Sequence, residues 1–246
     1  MRGVFNMLEK GLILNHPLGR LIEHESGEEI MPQGGFGAIL ARAGVGKTAI
    51  LIQIAIHSLL CDNNVLHISL NDPVKKVGLW YKEVYRNIAS QHSITDQDQI
   101  FDSMLPHRFI MTFEVEGFSV PKLEERLTEL MEQNIFRPHL ILIDGLPFDE
   151  SQKASLSDLK SFAKTNSLKI WFTVRIHRDE IPVADVIPGL FNDVEHLFET
   201  AILIQPEEKE IYLKMLKGGK PDSGMTRLSL DPTTMLIKQS DLTQPA

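Results

Sequence analysis

Lys47 and Thr48 close the stretch Ala41-Arg42-Ala43-Gly44-Val45-Gly46-Lys47-Thr48, whose residue types suit the binding of a polyphosphate. Successive backbone N–H groups can converge on phosphate oxygens only where the chain bends tightly and no bulky side chain intervenes, and Gly44 and Gly46 meet that need. A lysine in the next position brings a point charge to the outer phosphates. The hydroxyl after it, on the first turn of a helix, can reach Mg²⁺. Ala43, Gly44, Val45, Gly46, Lys47, Thr48 and Ala49 are therefore the expected nucleotide-binding residues. Ala41 stands where the strict pattern has glycine.

A loop of this kind must be fed by a strand and followed by a buried helix. Gly37–Leu40 reads as the strand, and Ile50, Ile54 and Ile56–Leu60 give the apolar run of the helix, interrupted by Gln53 and His57. A second half of the site is expected at Asp144. This acid closes the apolar strand His139–Ile143, and Mg²⁺ keeps several waters, so one carboxylate and one hydroxyl beside phosphate oxygens are enough to hold it. Thr48 and Asp144 are the expected metal ligands.

Strands and helices alternate through most of the chain, the pattern of a parallel sheet with crossover helices. Val65–Leu70 is a strand after the turn Asp62-Asn63-Asn64. Val77, Tyr81, Val84 and Ile88 recur at helical spacing within Val74–Ser90, so Trp80, Tyr81 and Tyr85 read as packed core rather than a base-stacking platform. Gln91–Gln99 reads as a polar connection. A strand follows at Arg108–Phe113, then a helix over Val120–Gln133 capped by Ser119, a helix over Ser155–Thr165 and a strand at Lys169–Val174. After Glu195 the short strands Ala201–Ile204, Glu210–Leu216 and Thr226–Leu230 predict an antiparallel edge.

The chain resembles the RecA-like superfamily of P-loop ATPases, and within it the KaiC/DnaB-like branch. The resemblance spans roughly Gln33 to Ile237. It rests on the Gly34-Gly35 pair, the loop with its apolar helix, the strand Val65–Leu70 followed by Asn71-Asp72, the Asp144-Gly145 strand end and the small terminal strands. It implies an α/β fold, a mostly parallel twisted sheet flanked by helices with an antiparallel C-terminal edge, as one domain over residues 30–240. Residues 1–29 would be an arm or cap. It also implies ATP and Mg²⁺ as ligands, and a homo-oligomer, with a hexameric ring as one form.

Such ATPases end the strand after the loop helix in a glutamate that polarises the attacking water, and this sequence has Asn71-Asp72 there. Asparagine cannot accept a proton. Asp72 on its shorter stem is the candidate base, and turnover should be slow or absent. The strand end Thr173-Val174-Arg175 falls where the family keeps a polar sensor of the γ-phosphate, so Arg175, then Thr173, are the candidates. Lys47 and Arg175 complete the expected catalytic set with Asp72. Lys217-Gly218-Gly219-Lys220 lies where relatives send a basic finger into a neighbour, and a solvated glycine-rich turn explains it equally. His177-Arg178-Asp179 spells a kinase triplet without the rest of that signature.

The chain has 246 residues, 43% of them hydrophobic and 24% charged, within the range of one large domain. A single cysteine, Cys61, permits no internal disulfide and reads as core in a cytosolic protein. The net charge of −8 disfavours broad nucleic-acid binding. No apolar run predicts a membrane span, and no histidine or cysteine spacing suits zinc. The leading expectation is thus a slow Mg²⁺-dependent ATPase whose nucleotide state controls oligomer or partner contacts. Two rivals are a nucleotide-gated binding module without turnover and a DNA-dependent motor.

Overall fold

The computed structural model describes residues 11, 17–22, 30–114, 118–148, 152–176, 189–207, 210–218 and 226–241. Its centre is a nine-stranded sheet in the order β3-β2-β4-β5-β1-β6-β7-β8-β9. The strands are β1 (Phe36–Ala41), β2 (Val65–Ser69), β3 (Arg108–Thr112), β4 (Leu140–Asp144), β5 (Lys169–Arg175), β6 (Thr200–Glu207), β7 (Glu210–Lys217), β8 (Thr226–Leu230) and β9 (Ile237–Asp241). β1 to β6 run parallel, and β7, β8 and β9 add an antiparallel edge. The fold is thus α/β, with helices on both faces of a mostly parallel sheet.

Continuous apolar strands are what a sheet covered on both faces requires. Along β1, Ile39 and Ala41 face one core, while Phe36, Ala38 and Leu40 face the other. The first core is roofed by α1 (Lys47–Leu60), α2 (Val74–Gln91) and the short α3 (Gln97–Met104). The second lies under α4 (Val120–Glu132) and α5 (Gln152–Asn166), with Phe36 and Phe198 each edge to face on Phe172 and Phe191 tilted against Phe198 beside them. Tyr81 and Tyr85 are buried and Trp80 packs against the same core, as the helical spacing of α2 requires. The described part of the amino-terminal stretch, residues 17–22, sends Leu18, Leu21 and Ile22 into the first core.

Two local expectations are corrected and one strand is added. Residues 91–99 are not simply a connection, because α3 starts at Gln97; Ile100, Phe101 and Met104 anchor it, too few apolar positions to show a period. β9 is a strand of polar composition, and its support comes from the β8 ladder. Cys61 is exposed: α1 ends at Leu60, and the chain turns outward through Asp62 at φ 59°. No helix among the described residues is long and apolar enough to cross a membrane.

Candidate functional site

β1 ends at Ala41, and α1 begins at Lys47, so Arg42–Gly46 form a five-residue bend at the carboxyl edge of the sheet. Two left-handed residues make that bend, Gly44 at φ 77° and Gly46 at φ 105°. Nothing lies within 4 Å of a Cβ built on Gly44, so its side of the loop is open, whereas one on Gly46 would meet Leu230 Cδ2 at 2.6 Å. The antiparallel edge therefore buttresses the loop from beneath. Ala43 and Gly44 are exposed, while Ala49 and Ile50 beyond Thr48 are buried and fix the helix on the sheet.

Lys47 folds back over this bend, donating from Nζ to the carbonyl oxygens of Ala41 at 3.0 Å and Arg42 at 2.7 Å. Burial holds its amine below the usual lysine range, the Asp144 carboxylate opposes that, and the Arg175 guanidinium adds to it. The lysine is thus a cation short of partners of full opposite charge, and a phosphate would supply them.

Thr48 Oγ1 donates to Asp144 Oδ2 at 2.8 Å, joining the first turn of α1 to the end of β4 across 96 residues of sequence. β5 lies between β1 and β4, and its Thr173 is in register with Ile39 of β1. Thr173 Oγ1 donates to the other carboxylate oxygen of Asp144 at 2.6 Å and accepts from the Gly145 N–H at 2.9 Å. Both oxygens of Asp144 are therefore held by hydroxyls from neighbouring elements. One hydroxyl and one carboxylate oxygen converge under the open loop, an oxygen donor set that suits a hard divalent cation.

Asn71 and Asp72 follow β2. A Cβ on Gly145 would collide with the Asn71 amide, so Asn71 lies directly over the turn after Asp144. Asp72 donates its backbone N–H to Ser69 Oγ at 3.0 Å, and its carboxylate accepts from Lys76 Nζ at 2.7 Å. The structure thus brings Lys47, Thr48 and Asp144 together, with Asn71 beside them, and gives Asp72 a lysine partner of its own. Arg175 is exposed at the end of β5, in register with Ala41. Lys217 turns inward to its own chain, donating to the Glu195 carbonyl at 3.0 Å and pairing with that residue's carboxylate. His177, Arg178, Asp179 and Lys220 lie outside the described residues.

Two features around the site had no local signal. Gln53, 1% exposed in α1, donates to the Met235 carbonyl at 2.8 Å and accepts from the Ile237 N–H at 3.1 Å, tying the loop helix to the start of β9. His67 of β2 is fully buried against Tyr81, Nδ1 to hydroxyl 3.1 Å, with the Arg108 guanidinium 4.6 Å from the Tyr81 ring centre. Burial drives the His67 pKa down to about 4, opposed by the Asp144 carboxylate. A second concavity, lined by Ile54, His57, His139, Lys169 and Trp171, opens at the amino-terminal ends of β4 and β5, away from the loop.

No protein-family model and no curated protein matches the chain.

Proposed function

We propose that the chain is a RecA-like P-loop protein of the KaiC/DnaB-like kind that binds Mg²⁺-ATP and hydrolyses it slowly. In this reading nucleotide state controls contacts between copies or with a protein partner. The observation that carries it is the Thr48–Asp144 hydrogen bond beneath the open glycine loop, because it unites two signals far apart in sequence. Backbone amides from Ala43 to Ala49 would bind phosphate oxygens, and Lys47 would leave its carbonyl partners for the outer phosphates. Thr48 and Asp144 would hold Mg²⁺, which when bound neutralises phosphate charge. Thr173 keeps the Asp144 carboxylate turned toward Thr48, and Arg175 stands at the adjacent strand end as the γ-phosphate sensor.

A second reading, a nucleotide-gated module without turnover, is favoured by the pairing of Asp72 with Lys76. The Asp72 carboxylate is engaged by the Lys76 ammonium group rather than free to face an attacking water, and Asn71 has no carboxylate to take its place. Titration calorimetry with Mg²⁺-ATP and hydrolysis assays over a range of protein concentration, with Lys47→Ala as the blank, decide the matter. Binding lost in Lys47→Ala with turnover lost in Asp72→Ala supports the ATPase; binding without turnover in the wild type supports the module. Equal behaviour of wild type and Lys47→Ala rejects both.

A further inference from the structure

Arg108 opens β3, the edge strand of the sheet, and its guanidinium lies where a cation is costly. It stands 4.6 Å from the centre of the Tyr81 ring and 5.9 Å from that of Phe101. Burial holds it below the usual arginine range, and only Tyr81 opposes this. Among the described residues its side chain takes part in no ion pair and donates no hydrogen bond, so the two rings are its partners. Aromatic faces offset part of the cost of burying the charge, but they leave the planar N–H fork without an oxygen to bind. Arg108 is half-exposed, so a ligand can reach it from the sheet edge.

The strands beside β3 bring further donors to the same edge. Val65 of β2 is in register with Arg108 on one side and with Leu140 of β4 on the other. His107, Asn64 and His139 therefore stand abreast one residue earlier, on strands about 4.8 Å apart. Asn64 organises this row. Its Nδ2 donates to the Arg137 carbonyl at 3.0 Å, its carbonyl accepts from the His139 and Leu140 N–H groups, and its Oδ1 lies 2.9 Å from His107 Nδ1. An amide oxygen only accepts, so His107 carries its proton on Nδ1, and Nε2 becomes a second donor when the ring is charged. Arg137 is exposed and, like Arg108, has no ion-pair partner among the described residues. Cations without acids thus collect on one edge of a chain whose net charge is −8.

We propose that this edge binds a small phosphate-bearing anion, with the Arg108 guanidinium as its principal contact and His107 and Arg137 beside it. A tetrahedral oxyanion suits such a set, because it accepts from a planar fork and from further donors at once. Tyr81 prepares the platform. It is 1% exposed, and its hydroxyl lies 3.1 Å from His67 Nδ1, so the ring beneath the guanidinium is fixed before a ligand arrives. The site lies at the amino-terminal ends of the strands and the glycine loop at their carboxyl ends, so the inference stands whether or not the loop binds nucleotide.

Amide-resolved NMR titration of the full chain tests it, with inorganic phosphate replacing chloride at a constant ionic strength of about 0.1 M. The amides of His107, Arg108 and Phe109 should shift along a saturating curve, separately from any response of Gly44–Lys47. Arg108→Gln should weaken the edge response by about tenfold or more, because charge-assisted bonds to the fork are lost, and should leave the loop response unchanged. Arg137→Gln alters an exposed side chain and no core contact, so it keeps the melting temperature and should weaken the same curve to a smaller extent. A parallel titration with glycerol phosphate separates the two sources: tighter binding of the ester supports a site for a phosphorylated small molecule, and equal or weaker binding supports one for free phosphate. A response confined to the loop, or an edge curve with the same midpoint in the wild type and both variants, overturns the inference. So does an edge response that chloride alone reproduces when ionic strength is raised, since that is screening and not a site.

Discussion

The Thr173 hydroxyl holds the Asp144 carboxylate at 2.6 Å while accepting from the Gly145 N–H, so one side chain of β5 orients the acid of β4 and pins the turn after it. Thr173→Val keeps the shape and removes both bonds. Hydrogen bonds to charged groups contribute about 1.5 to 3 kcal/mol, so the affinity for Mg²⁺-nucleotide should fall by about tenfold or more. Thr173→Ser should recover most of it. Calorimetric titration of the three proteins checks this, and equal affinities would remove Thr173 from the site.

Gly44 and Gly46 share a left-handed backbone but not an environment. Alanine at Gly44 meets open space and should cost about 1 kcal/mol from backbone strain alone. Alanine at Gly46 also displaces Leu230, which is fully buried, and should cost more, about 2 to 4 kcal/mol. Urea unfolding without nucleotide measures both. In a double-mutant cycle with Leu230→Ala the double variant should lose less stability than the sum of the two single losses.

Gln53→Leu leaves the Ile237 N–H and the Met235 carbonyl without their partner. The loss should be about 1 to 3 kcal/mol for a buried group left unsatisfied. Hydrogen exchange should show faster opening of the Ile237 amide than of amides in β4. Uniform acceleration would mean that Gln53 supports the whole fold rather than the joint between α1 and β9.

His67 is buried in its neutral form, so its folded pKa of about 4 lies below the 6.5 of a free imidazole. Between those values the unfolded chain binds more protons, hence stability is complete above pH 6.5 and is lost as pH falls toward 4. The loss approaches about 3 kcal/mol, from about 1.4 kcal/mol per pKa unit. Comparing neutral and acidic unfolding curves of the wild type and His67→Phe checks the sign: the difference between the proteins should shrink or reverse in acid.

The loop and its acid are local patterns, and each was legible where it stood: glycines with Lys47-Thr48 after a strand, and an aspartate closing an apolar run. What joins them was not. Thr48 meets Asp144 across 96 residues and Gln53 meets Met235 across 182, and no spacing rule encodes which distant element lies alongside. The long helices α2 and α4 could be read because their apolar faces repeat several times. α3 offers three anchors in eight residues and β9 a polar sequence, so tertiary contact decides both. Position along a strand singles out Arg175 and Asp72 in the sequence, while the fold leaves one exposed and the other ion-paired.

β1, the strand that carries the loop, is flanked by β5 and β6, and its first residue bonds to Glu199, 163 positions later. During synthesis this strand waits, apolar on both faces and without lateral partners, until most of the chain has emerged. Closing such long loops before any contact repays them slows folding, so the loop geometry is acquired late, and a chain halted before β6 leaves β1 without one of its two neighbours and with apolar surface uncovered.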